Sequence, residues 1–297
     1  MQVITTADGL AKALDAERAE GRTVGLVPTM GFLHAGHRSL IERSAAENDV
    51  TAVTLFVNPL QFGPTEDLAA YPRDAQGDQR SAAEAGAAYL FAPLVEEMYP
   101  GGAPLTTVDV AEISEPLEGR SRPTHFAGVA TVVAKLFAIA GRGRAYFGEK
   151  DYQQLAVIRR MAADLSFPIE VVGCPTVREA DGLALSSRNV YLTPDERAVA
   201  PVLHEALQRG RSLIEQGERD PAVVNAAMRA HIETEPRFTL DYAEVADAVD
   251  LSAPTRLAGE VRLLVAARLG RARLIDNVQA VVPSASSESS AASGADH

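Results

Sequence analysis

Up to Pro175 the chain alternates short apolar, β-branched runs with longer stretches rich in Ala, Leu, Glu and Arg. The runs at 23–28, 50–57, 88–92, 144–147 and 169–173 have strand length and little polar alternation, as strands covered on both faces do. The stretches at 37–47, 76–85, 128–140 and 152–164 predict helices. Alternation of this kind builds βαβ units, so residues 1–176 are expected to form an α/β domain around a Rossmann-like parallel sheet.

Beyond Pro175 the texture changes. A Gly- and Ser-bearing loop at 181–189 precedes Thr193-Pro194-Asp195-Glu196, which opens a helix with Thr193 as N-cap, Pro at the first position and Glu at the third. A second helix is expected from Pro221, and strands near 241–245, 261–267 and 273–276. These elements predict a smaller α+β lid domain over 177–283. From Ser284 the sequence SASSESSAASGADH has no large apolar residue to offset its ordering entropy, so 284–297 is expected to be a disordered tail.

Composition narrows the function. The 297 residues, 46% of them hydrophobic, suffice for one large core or two modest ones. The longest mostly apolar stretch, 129–140, contains Lys135 and falls well short of the ~20 residues a bilayer span requires, so a buried helix is expected there and no membrane partner. A net charge of -12 argues against nucleic acid as a partner as well. An anionic small substrate needs local cations, for which Arg122, Lys150 and Arg188 are candidates. The lone Cys174 has no disulfide partner in the chain and no charged-then-apolar leader opens it, so a cytoplasmic setting is expected.

The first strand-to-helix turn carries the chemistry. It reads Pro28-Thr29-Met30-Gly31-Phe32-Leu33-His34-Ala35-Gly36-His37 and stands where open parallel sheets bind ligands. Gly31 and Gly36 permit close backbone approach, and the helix start supplies free N–H groups and a positive dipole end suited to phosphate. His34 and His37 can face the same way and offer two imidazole donors to an anion. A metal pair would need further ligands, and His125, His204, His231 and His297 form no spaced cluster with them, so phosphate recognition is the expected role.

HxGH after a first strand is the signature of the nucleotidyltransferase superfamily, and the longer PTMGxLHxGH form resembles the pantothenate synthetase family. Further blocks agree in order: Phe56-Val57-Asn58-Pro59-Leu60-Gln61-Phe62-Gly63, Tyr71-Pro72-Arg73, Arg122-Pro123-Thr124-His125-Phe126-Ala127-Gly128-Val129, Phe147-Gly148-Glu149-Lys150-Asp151-Tyr152-Gln153-Gln154 and Leu185-Ser186-Ser187-Arg188-Asn189. The resemblance implies an ATP-dependent ligase that converts pantoate to pantoyl adenylate and passes the pantoyl group to β-alanine, using Mg²⁺ and working as a cytoplasmic homodimer.

By the same resemblance, Met30, Gly31, Phe32, Leu33, His34, Ala35, Gly36, His37, Gly148, Glu149, Lys150, Asp151, Val177, Leu185, Ser186, Ser187 and Arg188 line the ATP site, Val177 through its backbone at the adenine. His37, His34, Lys150 and Arg188 are the expected catalytic groups, neutralising charge that grows on the phosphates, with His37 as proton donor. Gln61 and Gln154 are expected on pantoate, Gln61 also near β-alanine, since an amide donates to a carboxylate and accepts from a hydroxyl. Asn58 is expected to position the same ligand. Departures from the family pattern are few: Leu185 stands where Met is common, Asp74 where Thr is usual, and Gly77 where an acidic residue often precedes Asp78. The alternatives are a nucleotidyltransferase of a coenzyme pathway, which leaves the nucleotide on its product, and a nucleotide-binding regulator that has lost its chemistry.

Overall fold

The computed structural model describes residues 1–63, 68 and 71–283. In chain order its first part comprises β1 (Gln2–Ile4), α1 (Ala7–Ala19), β2 (Val24–Thr29), α2 (Ala35–Glu47), β3 (Val50–Leu55), α3 (Ala75–Glu84), β4 (Tyr89–Phe91), two single turns α4 (Val95–Met98) and α5 (Glu118–Ser121), α6 (His125–Ala140), β5 (Gly143–Gly148), α7 (Tyr152–Asp164) and β6 (Ile169–Cys174). Then follow α8 (Pro194–Val199), α9 (Val202–Glu215), α10 (Pro221–Ile232), β7 (Phe238–Asp247), β8 (Glu260–Leu269) and β9 (Ala272–Val281). The segment read as a tail, 284–297, lies outside the described residues.

Six strands form one sheet in the order β1-β4-β3-β2-β5-β6, every neighbouring pair parallel. Side chains alternate between its faces, as the pleat requires. Leu26, Ala52, Phe91, Ala145 and Phe147 pack against α1, α6 and α7, whereas Val27, Val53, Leu90 and Tyr146 pack against α2 and α3. The apolar stretch at 129–140 is indeed a buried helix, α6, and its Lys135 reaches out to the carbonyl of Met98 and lies over the Tyr99 ring. Strand β1 and helix α1 add to the predicted elements. The first is a three-residue edge strand, too short to give a periodic signal.

Position in the sheet places the site. Chain connections run outward from β2 on one side and from β5 on the other, so the loops after these two strands part company at a topological switch point. The pair is in register only at Gly25/Arg144 and Leu26/Ala145, whereas β2 matches β3 over its full length. Beyond Leu26 the two strands separate and leave a crevice at their carboxyl ends.

The smaller sheet, β7-β8-β9, is antiparallel. Leu263, Val265, Leu274 and Val278 face α9 and α10, while Tyr242, Ala246, Leu264 and Ala266 face the other way and join the core of the parallel sheet. An ion-pair cluster reinforces that contact: Arg273 is bidentate to Glu118 at 2.7 and 2.7 Å, and Tyr242 donates to the same carboxylate at 2.9 Å. The helix expected from Thr193 is capped as read, by a Thr193/Glu196 capping box. It stops at Val199, and Pro201 caps the start of α9 where a helix interior would miss its N–H.

Helix α6 approaches the turn 59–61 so closely that a Cβ on Gly128 would sit 2.3 Å from the Leu60 carbonyl oxygen. Gly128→Ala must therefore move backbone, and the unfolding free energy is expected to drop by about 2 kcal/mol, the usual cost of overpacking. Chemical denaturation checks this, and an unchanged midpoint would mean that the turn yields freely.

Candidate active site

The crevice holds a cavity of about 220 Å³. Its floor comes from β2, β3 and the residue just beyond β3 (Pro28, Thr29, Thr54, Phe56), one wall from α6 (Val129, Val132, Val133, Leu136), and its polar lining from the loops that leave β2, β3, β5 and β6, from Arg122 just before α6 and from His125 at its start. A second cleft of about 380 Å³ shares Arg122, Lys150, Asp151, Gln154 and Arg188 with it and runs out between the two sheets.

The structure brings most of the expected residues together. Met30, His34, Gly36, His37, Gln61, Gly148, Lys150, Asp151, Gln154, Val177, Leu185, Ser186, Ser187 and Arg188 all line the cavity. Gly31, Phe32, Leu33, Ala35 and Glu149 do not. The reason for three of these is Asp78, a residue whose role the sequence left open. Its buried carboxylate accepts the N–H groups of Phe32 at 2.9 Å and Leu33 at 2.7 Å, and a Cβ on Gly31 would meet it at 2.9 Å. Those amides are thus spent on holding the loop, not offered to a ligand. Ala35 is exposed on the first turn of α2, and Glu149 turns away to Arg262 at 3.2 Å.

His34 is the N-cap of α2. Its Nδ1 accepts the Gly36 N–H at 3.1 Å, and His37 Nδ1 faces the N–H of His34 at 3.4 Å, a reciprocal capping box. With both Nδ1 atoms acting as acceptors, the ring protons reside on Nε2. The rings lie 4.1 Å apart, centroid to centroid. Burial lowers the pKa of both. For His37 burial, reinforced by His34 and Lys150 against Asp151, pushes it down to about 3. His34 is lowered by burial and by Lys150, again against Asp151. The positive end of the α2 dipole disfavours charge there too. At neutral pH the cavity therefore presents two neutral Nε2–H donors.

The cations come from elsewhere. Lys150 follows β5 in a short turn, with Nζ 3.8 Å from Asp151 Oδ1. Burial raises the pKa of Asp151, but Lys150, Arg188, His125 and Arg122 outweigh it and hold the carboxylate below its ordinary value. Arg188 sits in a turn opened by Ser186, whose Oγ accepts the Arg188 N–H at 3.2 Å. The preceding segment is a small hairpin: Leu185 N–H bonds the Val177 carbonyl at 3.0 Å, and Arg197 of α8 clasps Glu179 and Asp181 at 2.7 Å each.

Gln61 is 8% exposed and oriented by neighbours: Asn58 Nδ2 donates to its Oε1 at 3.1 Å. Asn58 itself is 1% exposed, accepts from Tyr99 at 2.8 Å and donates to the Gly128 carbonyl at 3.0 Å, so it holds Gln61, and it lines the cavity as well. Gln154 lines both the cavity and the cleft beside it, where the two meet. Among the lining residues to which sequence reasoning gave no role are His125 and Tyr71. His125 Nδ1 lies 3.0 Å from the Gln61 carbonyl, and Tyr71 has a raised pKa because burial outweighs its hydrogen bond to Ser187. Both stood in recognisable blocks, but neither follows a strand end, where lining residues are sought.

Fold and site define a nucleotide-binding α/β protein with a neutral imidazole pair in a crevice at its switch point. Comparison with known proteins is specific. The family described as Pantoate-beta-alanine ligase matches residues 2–279. Pantothenate synthetase of Moorella thermoacetica is 52% identical over 278 residues, covering 94% of this chain and 98% of the relative. The crystal structure of pantothenate synthetase from Thermus thermophilus superposes with a TM-score of 0.88 at 50% identity, covering 94% of this chain and 99% of that one. That of pantoate-beta-alanine ligase from Francisella tularensis, complexed with beta-gamma ATP and beta-alanine, gives 0.77 at 33% identity, covering 94% and 97%. The chain belongs to the pantoate-beta-alanine ligase family.

The depressed pKa of His37 has a sign that can be measured. The unfolded imidazole titrates near 6.5 and the folded one near 3, so between these values the unfolded chain binds the extra proton and stability falls as pH is lowered. His37→Gln should remove up to about 1.4 kcal/mol per pH unit of that slope across the window. Unfolding free energies of variant and wild type at a series of pH values test it, and equal slopes would place an ordinary imidazole at position 37.

Proposed function

We propose that the protein joins pantoate to β-alanine at the expense of ATP, through pantoyl adenylate. The observation that carries this reading is one cavity in which a neutral imidazole pair, three cations (Arg122, Lys150 and Arg188) and two glutamine amides converge. A phosphate group and a hydroxy acid each find their complement there.

In the first step a carboxylate oxygen of pantoate attacks the α-phosphorus of ATP, the bond from that phosphorus to the bridging oxygen breaks, and pyrophosphate leaves. Charge grows on the phosphate oxygens. Nε2–H of His34 and His37 donate to them without bringing a charge that would have to be desolvated, while Lys150 and Arg188 neutralise the departing group. Gln61 and Gln154 orient pantoate. In the second step the amine of β-alanine attacks the acyl carbon, the carbon–oxygen bond to phosphate breaks, AMP departs and the amine loses its proton. The apolar wall of α6 keeps water from the adenylate, which would otherwise hydrolyse.

Mg²⁺ belongs to this reading: Asp151 would hold it, and it would supply further charge neutralisation to the ATP phosphates, a role that needs only one or two carboxylates. Among the described residues no three His, Cys, Asp or Glu side chains cluster as a metal site, and Asp151, held ionised at the cavity edge, suits such sparse coordination. The reading also includes a division near residue 176, with 177–283 closing over ATP, a homodimer through the first domain and a cytoplasmic setting.

Two experiments test it. Pantoate and ATP without β-alanine should support exchange of labelled pyrophosphate into ATP, and heavy oxygen in the pantoate carboxylate should appear in AMP once β-alanine is added. ADP as product, AMP without label, or a product that keeps the nucleotide would overturn the mechanism. Arg188→Ala should slow the exchange by about 10²-fold, the usual loss for one charge-stabilising donor, with the melting temperature unchanged.

A further inference from the structure

The turn that carries Lys150 has no side-chain cap from its own sheet, either at its start or at the beginning of α7. It is gripped instead from the antiparallel sheet. Asn277 of β9, 3% exposed, donates both protons of its Nδ2, to the carbonyl of Glu149 at 2.9 Å and to that of Lys150 at 2.8 Å. These two acceptors fix the amide orientation, because a flipped side chain would set its oxygen against two carbonyl oxygens. The cost is visible: Oδ1 of Asn277 is buried without a hydrogen-bond partner among the described residues. An apolar residue would fill this place in a merely packed interface at less expense.

Neighbouring contacts act on the same turn. Arg262 of β8 stacks its guanidinium 3.7 Å from the centroid of the Tyr152 ring and bonds Glu149 at 3.2 Å. Asp276, pointing to the opposite face of β9, takes Arg178 in a bidentate pair at 2.7 and 2.8 Å, and Arg178 begins the hairpin between Val177 and Ser186. One dipeptide of β9 thereby ties down the loop of Lys150 on one side and the loop of Arg188 on the other.

We propose that Asn277 is a positioning residue of the adenylation step, acting through the backbone of Lys150. The proposal rests on the functional reading above. Lys150 must meet charge at a defined point, and an error of about 1 Å in such a group costs roughly 10²-fold in rate. The C-terminal sheet supplies that definition.

The test is a double-mutant cycle on pyrophosphate exchange with the full chain. Asn277→Ala should lower kcat for exchange by roughly 10²-fold while leaving the KM for pantoate near the wild-type value. On a Lys150→Ala background the same change should cost no more than about twofold, because the group it positions is gone. Losses that multiply in the double variant, or a rise in pantoate KM with kcat unchanged, overturn the role. If Asn277→Ala does not fold, Asn277→Ser, which keeps one donor, goes through the same cycle with a smaller loss and the same non-additivity expected. A wild type without exchange activity refutes the functional reading itself and the positioning role with it, whereas an active wild type with an indifferent Asn277→Ala refutes only the latter.

Discussion

The hydrogen bond from the Gly36 amide to Nδ1 of His34 governs the rest of the site. It caps α2, so it decides where the helix begins and how its free N–H groups face the crevice. By occupying Nδ1 it also assigns the ring proton to Nε2, and the reciprocal contact does the same for His37. Glycine at 36 leaves the ring its place, since a Cβ there would lie 2.9 Å from the His34 ring and push it off the cap. Neutrality of the two rings follows from position, since burial and the dipole of α2 oppose protonation together. Two neutral donors suit an ATP site because positive charge then comes from Lys150, Arg188 and Arg122, which belong to other elements and are placed independently.

That independence explains why the antiparallel sheet is more than a cover. The parallel sheet positions the imidazoles through α2 and Asp78, and Gln61 through Asn58 and α6. It does not by itself immobilise the turn after β5 or the hairpin after β6. Both are held from β9, while Arg273 and Tyr242 fasten the same sheet to Glu118. Acid at position 118 lies at the edge of the second cleft, so the fastening also shapes the route by which ligands reach the cavity.

What the sequence reveals of this arrangement follows from the range of each interaction. Strands β2 to β6 and helices α2, α3, α6 and α7 are legible because burial on both faces writes continuous apolar runs and helical spacing. The HxGH turn is legible because its chemistry lies within ten consecutive residues. Asp78 and Asn277 are not, since each acts on backbone far away in the chain and leaves no local spacing to recognise. The same holds for His125, whose imidazole reads as a stray until α6 brings it to the Gln61 carbonyl. Glu149 errs in the opposite direction: adjacency to Lys150 suggests a place at the ligand, but successive residues of a tight turn point apart and Arg262 claims it.

The glutamine at 61 shows how the scaffold converts an adaptable side chain into a specific one. A free amide would rotate to suit either a carboxylate or a hydroxyl and would discriminate poorly between ligands. Here Asn58 donates to its Oε1, which orients Nε2 towards Met30 and the cavity as a donor. Asn58 can do this only because Tyr99 and the Gly128 carbonyl fix its own two ends, and Gly128 can come that close only because it lacks a Cβ. The chain of constraint thus runs from a glycine in a buried helix through an asparagine to the donor that a carboxylate would meet. Polarity at the ligand is in this way set by packing that reaches back from the cavity wall into the helix behind it.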